Sequence, residues 1–138
     1  MPKATARSKC ITALQLLRRL EEADDNGYCT CVTCGVVAQW NEGIQGGHFI
    51  DKSHSSYWAL QEENVNPQCS GCNGFGMKHG TARYSYMKWM EAKHGELFVQ
   101  NMMETKKDIR KMYAADYREM LADFNARIRV EKKRIGAK

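Results

Sequence analysis

Residues 63–73 read ENVNPQCSGCN, and the cysteine pair in this stretch, Cys69 and Cys72, has a counterpart earlier in the chain. Cys31 and Cys34 have the same two-residue gap, which lets both thiolates of a tight turn face one ion at about 2.3 Å. The two pairs together predict a four-cysteine zinc site. Because four thiolates fill a tetrahedral site, this zinc is expected to be structural and to take no part in a reaction.

Two further cysteines, Cys29 and Cys10, bear on the choice of ligands. Cys29 lies close enough to Cys31 to replace it, although the paired two-residue gaps and the turn expected at Gly35 favour Cys31 and Cys34. Cys10 falls on a helix face and is typical of a small apolar residue. Residues 35–68 separate the two pairs, which is more than the spacing of about 15 to 20 residues in a simple zinc ribbon.

The composition is that of a soluble protein with a single domain. The 138 residues are 43% hydrophobic and 27% charged, and no apolar run approaches the ~20 residues that a membrane helix needs. Arg18 and Arg19 interrupt the leucines behind the basic N-terminus, so we expect no secretory signal and a cytoplasmic location. A reducing compartment favours metal binding by the cysteines over disulfides.

The hydrophobic pattern predicts an α+β fold with helices at both ends. Apolar residues at near-helical spacing predict an amphipathic helix within residues 5–26, ended by Gly27 in a left-handed conformation. From residue 28 to about residue 49, apolar residues alternate loosely with polar ones and are interrupted by glycines. This pattern predicts short strands joined by tight turns.

Two more helical stretches are expected in the second half. The first begins near Cys72 or after Gly80 and ends at Gly95. The last is a long helix within a basic extension, residues 96–138, and a capping box formed by Thr105 and Asp108 would start it. Its apolar stripe would pack on the domain or on a second copy of the chain. The stripe consists of Ile109, Met112, Tyr113, Tyr117, Met120, Leu121, Phe124 and Ile128.

The net charge of +5 at pH 7 is concentrated at the two ends of the chain. Basic ends on a near-neutral middle are typical of proteins that neutralise nucleic-acid phosphates, although solvated helix tails have the same composition. The residues predicted to contact DNA at the C-terminus are Arg127, Arg129, Lys132, Lys133 and Arg134.

The spacing around the second cysteine pair resembles the HNH nuclease pattern with a four-cysteine zinc site. In that pattern an Asn lies five residues before the third cysteine and an Asn or His follows the fourth, and Asn64 and Asn73 occupy these positions. His48, in the upstream stretch IQGGHFI, completes the order His, Asn, Asn. The resemblance includes nucleases of the endonuclease VII type. It implies a ββα-metal core over residues 28–95, in which a β-hairpin faces a helix across one divalent ion.

The resemblance implies a role for each of these three side chains. His48 would be the general base that takes a proton from the attacking water, which suits imidazole because its pKa is close to neutral pH. Asn64 would orient the imidazole by bridging the hairpin loop. Asn73 would bind a catalytic Mg²⁺ or Mn²⁺ through its side-chain oxygen, the ligand type that hard cations prefer. Taken alone, His48 is typical of a packed core ring and each Asn of a turn or cap residue.

A narrower resemblance is to the NinG, or Rap, family of phage recombination endonucleases, and it covers about residues 5–130. It implies hydrolysis of branched DNA, such as Holliday junctions and D-loops, during phage homologous recombination in the cytoplasm of a bacterial host. The stretches that carry it are Cys31-Val-Thr-Cys34-Gly35, Gln39-Trp40, Gly47-His48-Phe49, Glu63-Asn64-Val65 and Gln68-Cys69 to Cys72-Asn73.

One position departs from the broad HNH pattern. The residue before the general base is usually an Asp or His that binds the catalytic ion, but here it is Gly47. NinG-like proteins also have a small residue at this position. The candidates for the missing ligand are Asp51 and His79, ranked equally, and then Gln45. Water and the substrate phosphate would fill the remaining positions, as is usual for Mg²⁺.

The partners implied by this reading are DNA and a second copy of the chain. Lys52, Lys78 and Arg83 flank the expected site and could contact phosphates, with a solvated surface as the equal alternative. Because resolving a junction needs two cuts, we hypothesise a homodimer through the last helix. The main rival function is a non-catalytic, zinc-dependent nucleic-acid-binding module in which His48 is a core ring.

Overall fold

The computed structural model describes residues 4–138, which form five α-helices and two small antiparallel sheets. The mixed α+β class predicted from the sequence is confirmed. The helices are α1 (Ala6–Glu22), α2 (Met77–His79), α3 (Ala82–His94), α4 (Glu96–Glu104) and α5 (Ala114–Arg134). The strands are β1 (Tyr28–Thr30), β2 (Val37–Gln39), β3 (Ile44–His48) and β4 (Val65–Cys69).

Two hairpins bring the sequence motifs together. Strands β1 and β2 pair around the first cysteine pair, and β3 pairs with β4 so that Ile44 lies opposite Cys69 and His48 opposite Val65. The second cysteine pair therefore begins at one end of the β3–β4 hairpin and the histidine lies at the other. The backbone N–H of Val32 donates to the Pro67 carbonyl at 3.0 Å, which ties the first cysteine turn to β4.

Helix α1 ends earlier than the sequence pattern predicts. It begins after Thr5, whose side chain accepts a hydrogen bond from the Ser8 N–H at 3.0 Å, and it ends at Glu22. Gly27 does adopt the expected left-handed conformation, with φ +87°, but it does so in the following turn, where its N–H donates to the Asp24 carbonyl. The extended backbone at residue 23 stops the helix first.

Two basic residues of the N-terminal region serve the fold rather than a charged surface. Arg18 Nε donates to the Val65 carbonyl and Arg18 Nη2 to Asn66 Oδ1, each at 2.9 Å. Arg19 Nη1 donates to the carbonyls of Trp40 and Ile44 at 3.2 and 3.3 Å. These hydrogen bonds attach α1 to both hairpins.

The C-terminal helix begins at Ala114, so the predicted capping box of Thr105 and Asp108 is wrong. The helix is started instead by Asp116, whose carboxylate accepts a hydrogen bond from the backbone N–H of Tyr113 at 2.8 Å. The carboxylate also lies in the first turn, where the helix dipole favours negative charge.

Thr105 and Asp108 connect α4 to the loop between β3 and β4. Thr105 Oγ1 accepts a hydrogen bond from Trp58 Nε1 at 3.0 Å, and the Asp108 carbonyl accepts one from Ser55 Oγ at 2.7 Å. The Thr105 hydroxyl, which would be the cap, is therefore engaged with Trp58, and α5 begins at Ala114.

The apolar stripe of α5 packs against α1, which confirms that it packs on the domain. Phe124 and Ile128 are buried in a cluster with leucines of α1, while Tyr117 and Met120 pack against a second cluster that contains Ile11. The part of the stripe within α5 is therefore covered by the chain, while Ile109 and Tyr113, which precede α5, are 85% and 63% exposed.

The predicted end of the second helix is confirmed. Helix α3 ends at His94, and Gly95 follows with φ +92°. Both predicted starts of this helix, near Cys72 and after Gly80, have a counterpart. A π-helical turn runs over Cys72–Gly76, and α3 begins at Ala82. Among residues 4–138, no helix has the length and apolar character needed to cross a membrane.

Candidate functional site

The four predicted zinc ligands lie together. The Sγ atoms of Cys31, Cys34, Cys69 and Cys72 are all within 4.8 Å of one another. Cys34 Sγ lies 3.8 Å from Cys69 Sγ. Tetrahedral geometry with Zn–S bonds of about 2.3 Å separates the sulfurs by about 3.8 Å. The cluster could therefore hold one metal ion in the way that a closed tetrahedral site requires.

The ambiguity over Cys29 is resolved in favour of Cys31. Cys29 is buried away from the cluster, and its thiol donates to the Arg19 carbonyl at 3.1 Å. Burial raises the pKa of the Cys29 thiol to about 11, which opposes the thiolate that a metal ligand needs. Cys10 is also buried, and its thiol donates to the Tyr117 carbonyl, in keeping with a packing role.

One thiol of the cluster, that of Cys31, has a lowered pKa. Burial opposes the ionisation of Cys31, but hydrogen bonds from Thr33 and from backbone N–H groups lower its pKa to about 6. For Cys72, burial and the neighbouring thiols raise the pKa to about 12. Binding of a cation by all four sulfurs as thiolates would displace thiol protons.

His48 ends β3 with its ring half-buried and its protonation state set by a neighbour. Nε2 lies 2.9 Å from the carbonyl oxygen of Ala59, and because a carbonyl only accepts, Nε2 carries the proton. Nδ1 is then the basic nitrogen. Within residues 4–138 it receives no hydrogen bond, so its lone pair is available to take a proton.

The surroundings of His48 keep the ring neutral. Burial lowers its pKa below the ordinary value, the hydrogen bond to Ala59 opposes this effect, and the positive charges of Lys52 and Arg7 add to the lowering. The carboxylate of Asp51 raises it slightly in return. The imidazole is therefore in its basic form at pH 7, as a general base requires.

Asn64 positions the loop that holds His48 and does not hydrogen bond to the ring itself. Its side chain is fully buried, with Oδ1 accepting from the Ile50 N–H at 2.7 Å and Nδ2 donating to the carbonyls of Ile50 and Trp58 at 2.9 Å. Trp58 precedes Ala59, which accepts the hydrogen bond from His48. Asn64 thus bridges the loop, and the residue after its partner Trp58 accepts the hydrogen bond from His48.

Replacing Asn64 by alanine is expected to lower the free energy of unfolding by about 3 kcal/mol or more, because three buried backbone groups would lose their partner at about 1 to 3 kcal/mol each. The measurement is urea unfolding of the zinc-loaded protein. Gln61→Ala, in the same loop, provides a comparison with a side chain that makes no hydrogen bond within residues 4–138. A loss below 1 kcal/mol for Asn64→Ala would refute the bridging role.

Asn73 lies in the π-helical turn Cys72–Gly76, beside the residue that precedes His48. Its Nδ2 donates to Gln45 Oε1 at 2.8 Å, which fixes the amide, and Oδ1 accepts no hydrogen bond from the residues that the structure describes. A Cβ added to Gly47 would lie 3.0 Å from Asn73 Oδ1. The hairpin and the turn therefore bring an amide oxygen next to β3 at the position where the resemblance implies a metal ligand.

The two first-ranked candidates for the missing ligand each contact a residue close to them in sequence. Asp51 accepts hydrogen bonds from Ser53 N and Ser53 Oγ at 2.8 and 2.6 Å, and these bonds lower the pKa of its carboxyl group. His79 packs against the Phe75 ring at a centroid distance of 5.0 Å. Gln45, the third candidate, is the one that contacts Asn73.

Tyr86 is a residue of the site that sequence reasoning missed. It is fully buried on α3, and its hydroxyl donates to the Gly47 carbonyl at 2.7 Å while accepting from Asn66 Nδ2 at 3.1 Å. Burial raises its pKa, so the hydroxyl keeps its proton and remains a donor. A tyrosine in an amphipathic helix gives no sequence signal for this contact with β3.

Two of the basic residues predicted to contact DNA are paired within the fold. Arg127 and Arg134 each form ion pairs with carboxylates, so their positive charge is already compensated. Within residues 4–138, Arg129, Lys132 and Lys133 form no ion pair with a carboxylate. The partners of Arg127 are Glu21, Glu62 and Asp123, and those of Arg134 are Asp25 and Glu131.

Positive charge gathers near His48. Arg7 Nη2 donates to the Lys52 carbonyl at 2.7 Å, and the charges of both residues act on the imidazole. Arg83 Nη1 donates to the carbonyl of the residue after His48 at 3.3 Å, and Lys78 lies on α2, which follows the Asn73 turn. Arg7 was not among the predicted DNA contacts, because only the fold brings the start of α1 beside the histidine.

Comparison with known proteins gave no relative. No family model, no curated protein and no solved structure matches the chain. The resemblance to HNH and NinG nucleases rests on the residues quoted above, and its functional consequences are put forward as proposals.

Proposed function

We propose that this protein is a metal-dependent DNA endonuclease of the HNH type that cleaves branched recombination intermediates such as Holliday junctions and D-loops. The proposal is carried by the placement of two side chains. A neutral His48 ends one strand of an antiparallel hairpin, and Asn73 presents its side-chain oxygen from the helical turn that follows the hairpin. A strand pair followed directly by residues 72–79 in helical conformation has the order of a ββα-metal core.

In the proposed reaction, His48 Nδ1 takes a proton from a water molecule that attacks the scissile phosphate. Asn73 Oδ1 would hold Mg²⁺ or Mn²⁺, and the ion would supply positive charge for the phosphate and the departing 3′ oxygen. Ala59 and Asn64 keep the imidazole in the required tautomer and place. The bond between phosphorus and the 3′ oxygen breaks and the 3′ oxygen takes a proton from solvent water, so the products are a 5′-phosphate and a 3′-hydroxyl.

In this proposal the four-cysteine cluster binds structural zinc. The ion would join the turn after β1 to the turn after β4, and Asn73 directly follows the ligand Cys72. Four sulfur ligands leave no open position for water or substrate. Zinc therefore supports the geometry of the catalytic site without entering the reaction.

The proposed DNA surface starts at Arg7, Lys52 and Arg83, which lie around His48, and includes Lys78 on α2. Arg129, Lys132 and Lys133 on α5 add charge without carboxylate partners among the described residues. Contacts of lysine and arginine with phosphates provide affinity that does not depend on sequence, which suits an enzyme that selects DNA by its shape.

The proposal is tested by incubating the zinc-loaded protein with a four-way junction, a D-loop and a linear duplex, with and without Mg²⁺ or Mn²⁺. We expect cuts only in the presence of the divalent ion and faster cleavage of the branched substrates. Binding without metal-dependent cuts would support the rival function, a non-catalytic zinc-dependent nucleic-acid-binding module. Neither binding nor cutting would reject both functions.

The pH dependence of cleavage should report the lowered pKa of His48. A general base must be unprotonated, so the rate rises as pH increases through its pKa and is constant above it. We expect a midpoint below 6.5, with the rate already at its plateau at pH 7. The measurement is the single-turnover rate between pH 5 and 8, with zinc content checked at each pH. A midpoint above 7 would contradict the assignment.

A homodimer remains part of the proposal, because resolution of a junction needs two cuts. The apolar stripe of α5 is used against α1, so two copies would have to meet through another surface or on the DNA. Light scattering of the free and the junction-bound protein measures this. A protein mass of 15.8 kDa per complex in both states would reject the dimer.

A further inference from the structure

Gln68 carries an unsatisfied polar atom at the centre of the candidate site. It lies on β4 opposite Gln45, and its side chain is fully buried. Among the residues that the structure describes, Gln68 Oε1 is the one buried side-chain oxygen or nitrogen without a hydrogen-bond partner. A buried acceptor without a donor costs about 1 to 3 kcal/mol, so its persistence indicates a ligand that satisfies it.

This oxygen occupies the space that a side chain at position 47 would take. A Cβ added to Gly47 would overlap Gln68 Oε1 and would lie 3.0 Å from Asn73 Oδ1. Gly47 does not have a positive φ, so a larger residue is excluded by lack of room and not by the backbone conformation. Two amide oxygens, from Gln68 and Asn73, therefore converge beside Gly47.

The orientation of the Gln68 amide is set by its contact with Thr33. Gln68 Nε2 donates to Thr33 Oγ1 at 3.5 Å. With the nitrogen turned towards Thr33, Oε1 must face Gly47 and Asn73.

We propose that Gln68 Oε1 is the second protein ligand of the catalytic divalent ion, and this inference rests on the proposed nuclease function. It replaces the Asp or His that precedes the general base in the HNH pattern, and Gly47 leaves room for it. Neutral amide oxygens are suitable ligands for Mg²⁺ and Mn²⁺, with water and phosphate completing the coordination. Gln45 Oε1 already accepts from Asn73 and serves to orient that ligand.

The test is a titration of zinc-loaded protein with Mn²⁺, followed by electron paramagnetic resonance in the absence of DNA. Gln68→Ala is expected to weaken Mn²⁺ binding about tenfold or more, because one of two protein ligands is lost. The double variant Gln68→Ala with Gly47→Asp should restore binding, since the carboxylate then occupies the vacated space. Gln39→Ala, on β2, is the matched control and should leave the affinity unchanged.

The outcomes separate this inference from the nuclease proposal. Unchanged Mn²⁺ affinity in Gln68→Ala, with zinc retained and with metal-dependent cleavage by the wild type, overturns the inference alone. A wild type that neither binds Mn²⁺ nor cuts DNA rejects the proposed function itself. If Gln68→Ala loses zinc, Gln68→Glu decides: tighter Mn²⁺ binding than the wild type supports the ligand, and equal or weaker binding overturns it.

Discussion

Replacement of His48 by alanine is expected to lower the single-turnover rate of DNA cleavage by about 10² to 10⁴-fold, the usual cost of losing a general base. Nδ1 of this ring is the basic nitrogen, and burial of the ring lowers its pKa, so the imidazole is unprotonated at pH 7. The fold should survive, because the half-buried ring makes one hydrogen bond, to the Ala59 carbonyl. The measurement is the cleavage rate of a four-way junction at saturating Mn²⁺.

His54→Ala is the matched control for this variant. His54 lies in the exposed loop that follows β3, so its removal should leave the rate within about twofold of the wild type. Zinc content and thermal melting of both variants show whether the fold is kept. A His48→Ala protein that cuts as fast as the wild type would remove the proposed general base.

Replacement of Cys69 by serine should release the zinc and unfold the hairpin region. Structural zinc contributes an apparent binding free energy of about 10 to 16 kcal/mol in small zinc domains, and three thiolates hold it far less well than four. Strands β1 and β2 have only three residues each, so few other interactions hold this region together. Metal analysis and circular dichroism measure the two effects.

Cys29→Ser provides the comparison for the zinc variant. Cys29 lies outside the cluster and donates a hydrogen bond to the Arg19 carbonyl, which a serine hydroxyl can also do. This variant should keep one zinc per chain and its secondary structure. Retention of zinc by Cys69→Ser, or its loss from Cys29→Ser, would contradict the assigned ligand set.

Loss of zinc should also abolish Mn²⁺ binding at the catalytic site. Gln68 and Asn73 directly flank the second cysteine pair, so their side chains are positioned by the turn that the zinc would hold. The structural and catalytic ions are therefore expected to be coupled, although they share no ligand.

Features fixed by short-range chemistry could be predicted from the sequence. The two-residue gaps of the cysteine pairs identified the cluster, because ligand spacing within a turn is a local property. The buried face of α1 followed from helical periodicity, and the end of α3 from Gly95. These predictions needed no knowledge of which elements pack together.

Features that depend on distant partners could not be predicted. The start of α5 was placed too early because Thr105 and Asp108 bind the loop between β3 and β4. The ion pairs of Arg127 and the approach of Arg7 to His48 depend on how α1 and α5 pack on the hairpins. Sequence spacing alone gives no information on such contacts.

The proposed role of Gln68 could not be predicted for the same reason. The candidates to replace a ligand at Gly47 lay near His48 or in the following helix, with Asp51 and His79 first. The antiparallel register instead brings Gln68 across from the neighbouring strand. The absence of a side chain at residue 47 is explained by an oxygen from β4 that fills the same space.

Anomalous diffraction from crystals grown with Mn²⁺ tests the central claim most directly, since it locates each ion by element. We predict zinc at the four cysteines and manganese at about 2.0 to 2.4 Å from Asn73 Oδ1, with Gln68 Oε1 as the second protein ligand. Manganese bound away from Asn73, or no manganese near His48 in a crystal whose protein cuts DNA in solution, would contradict it.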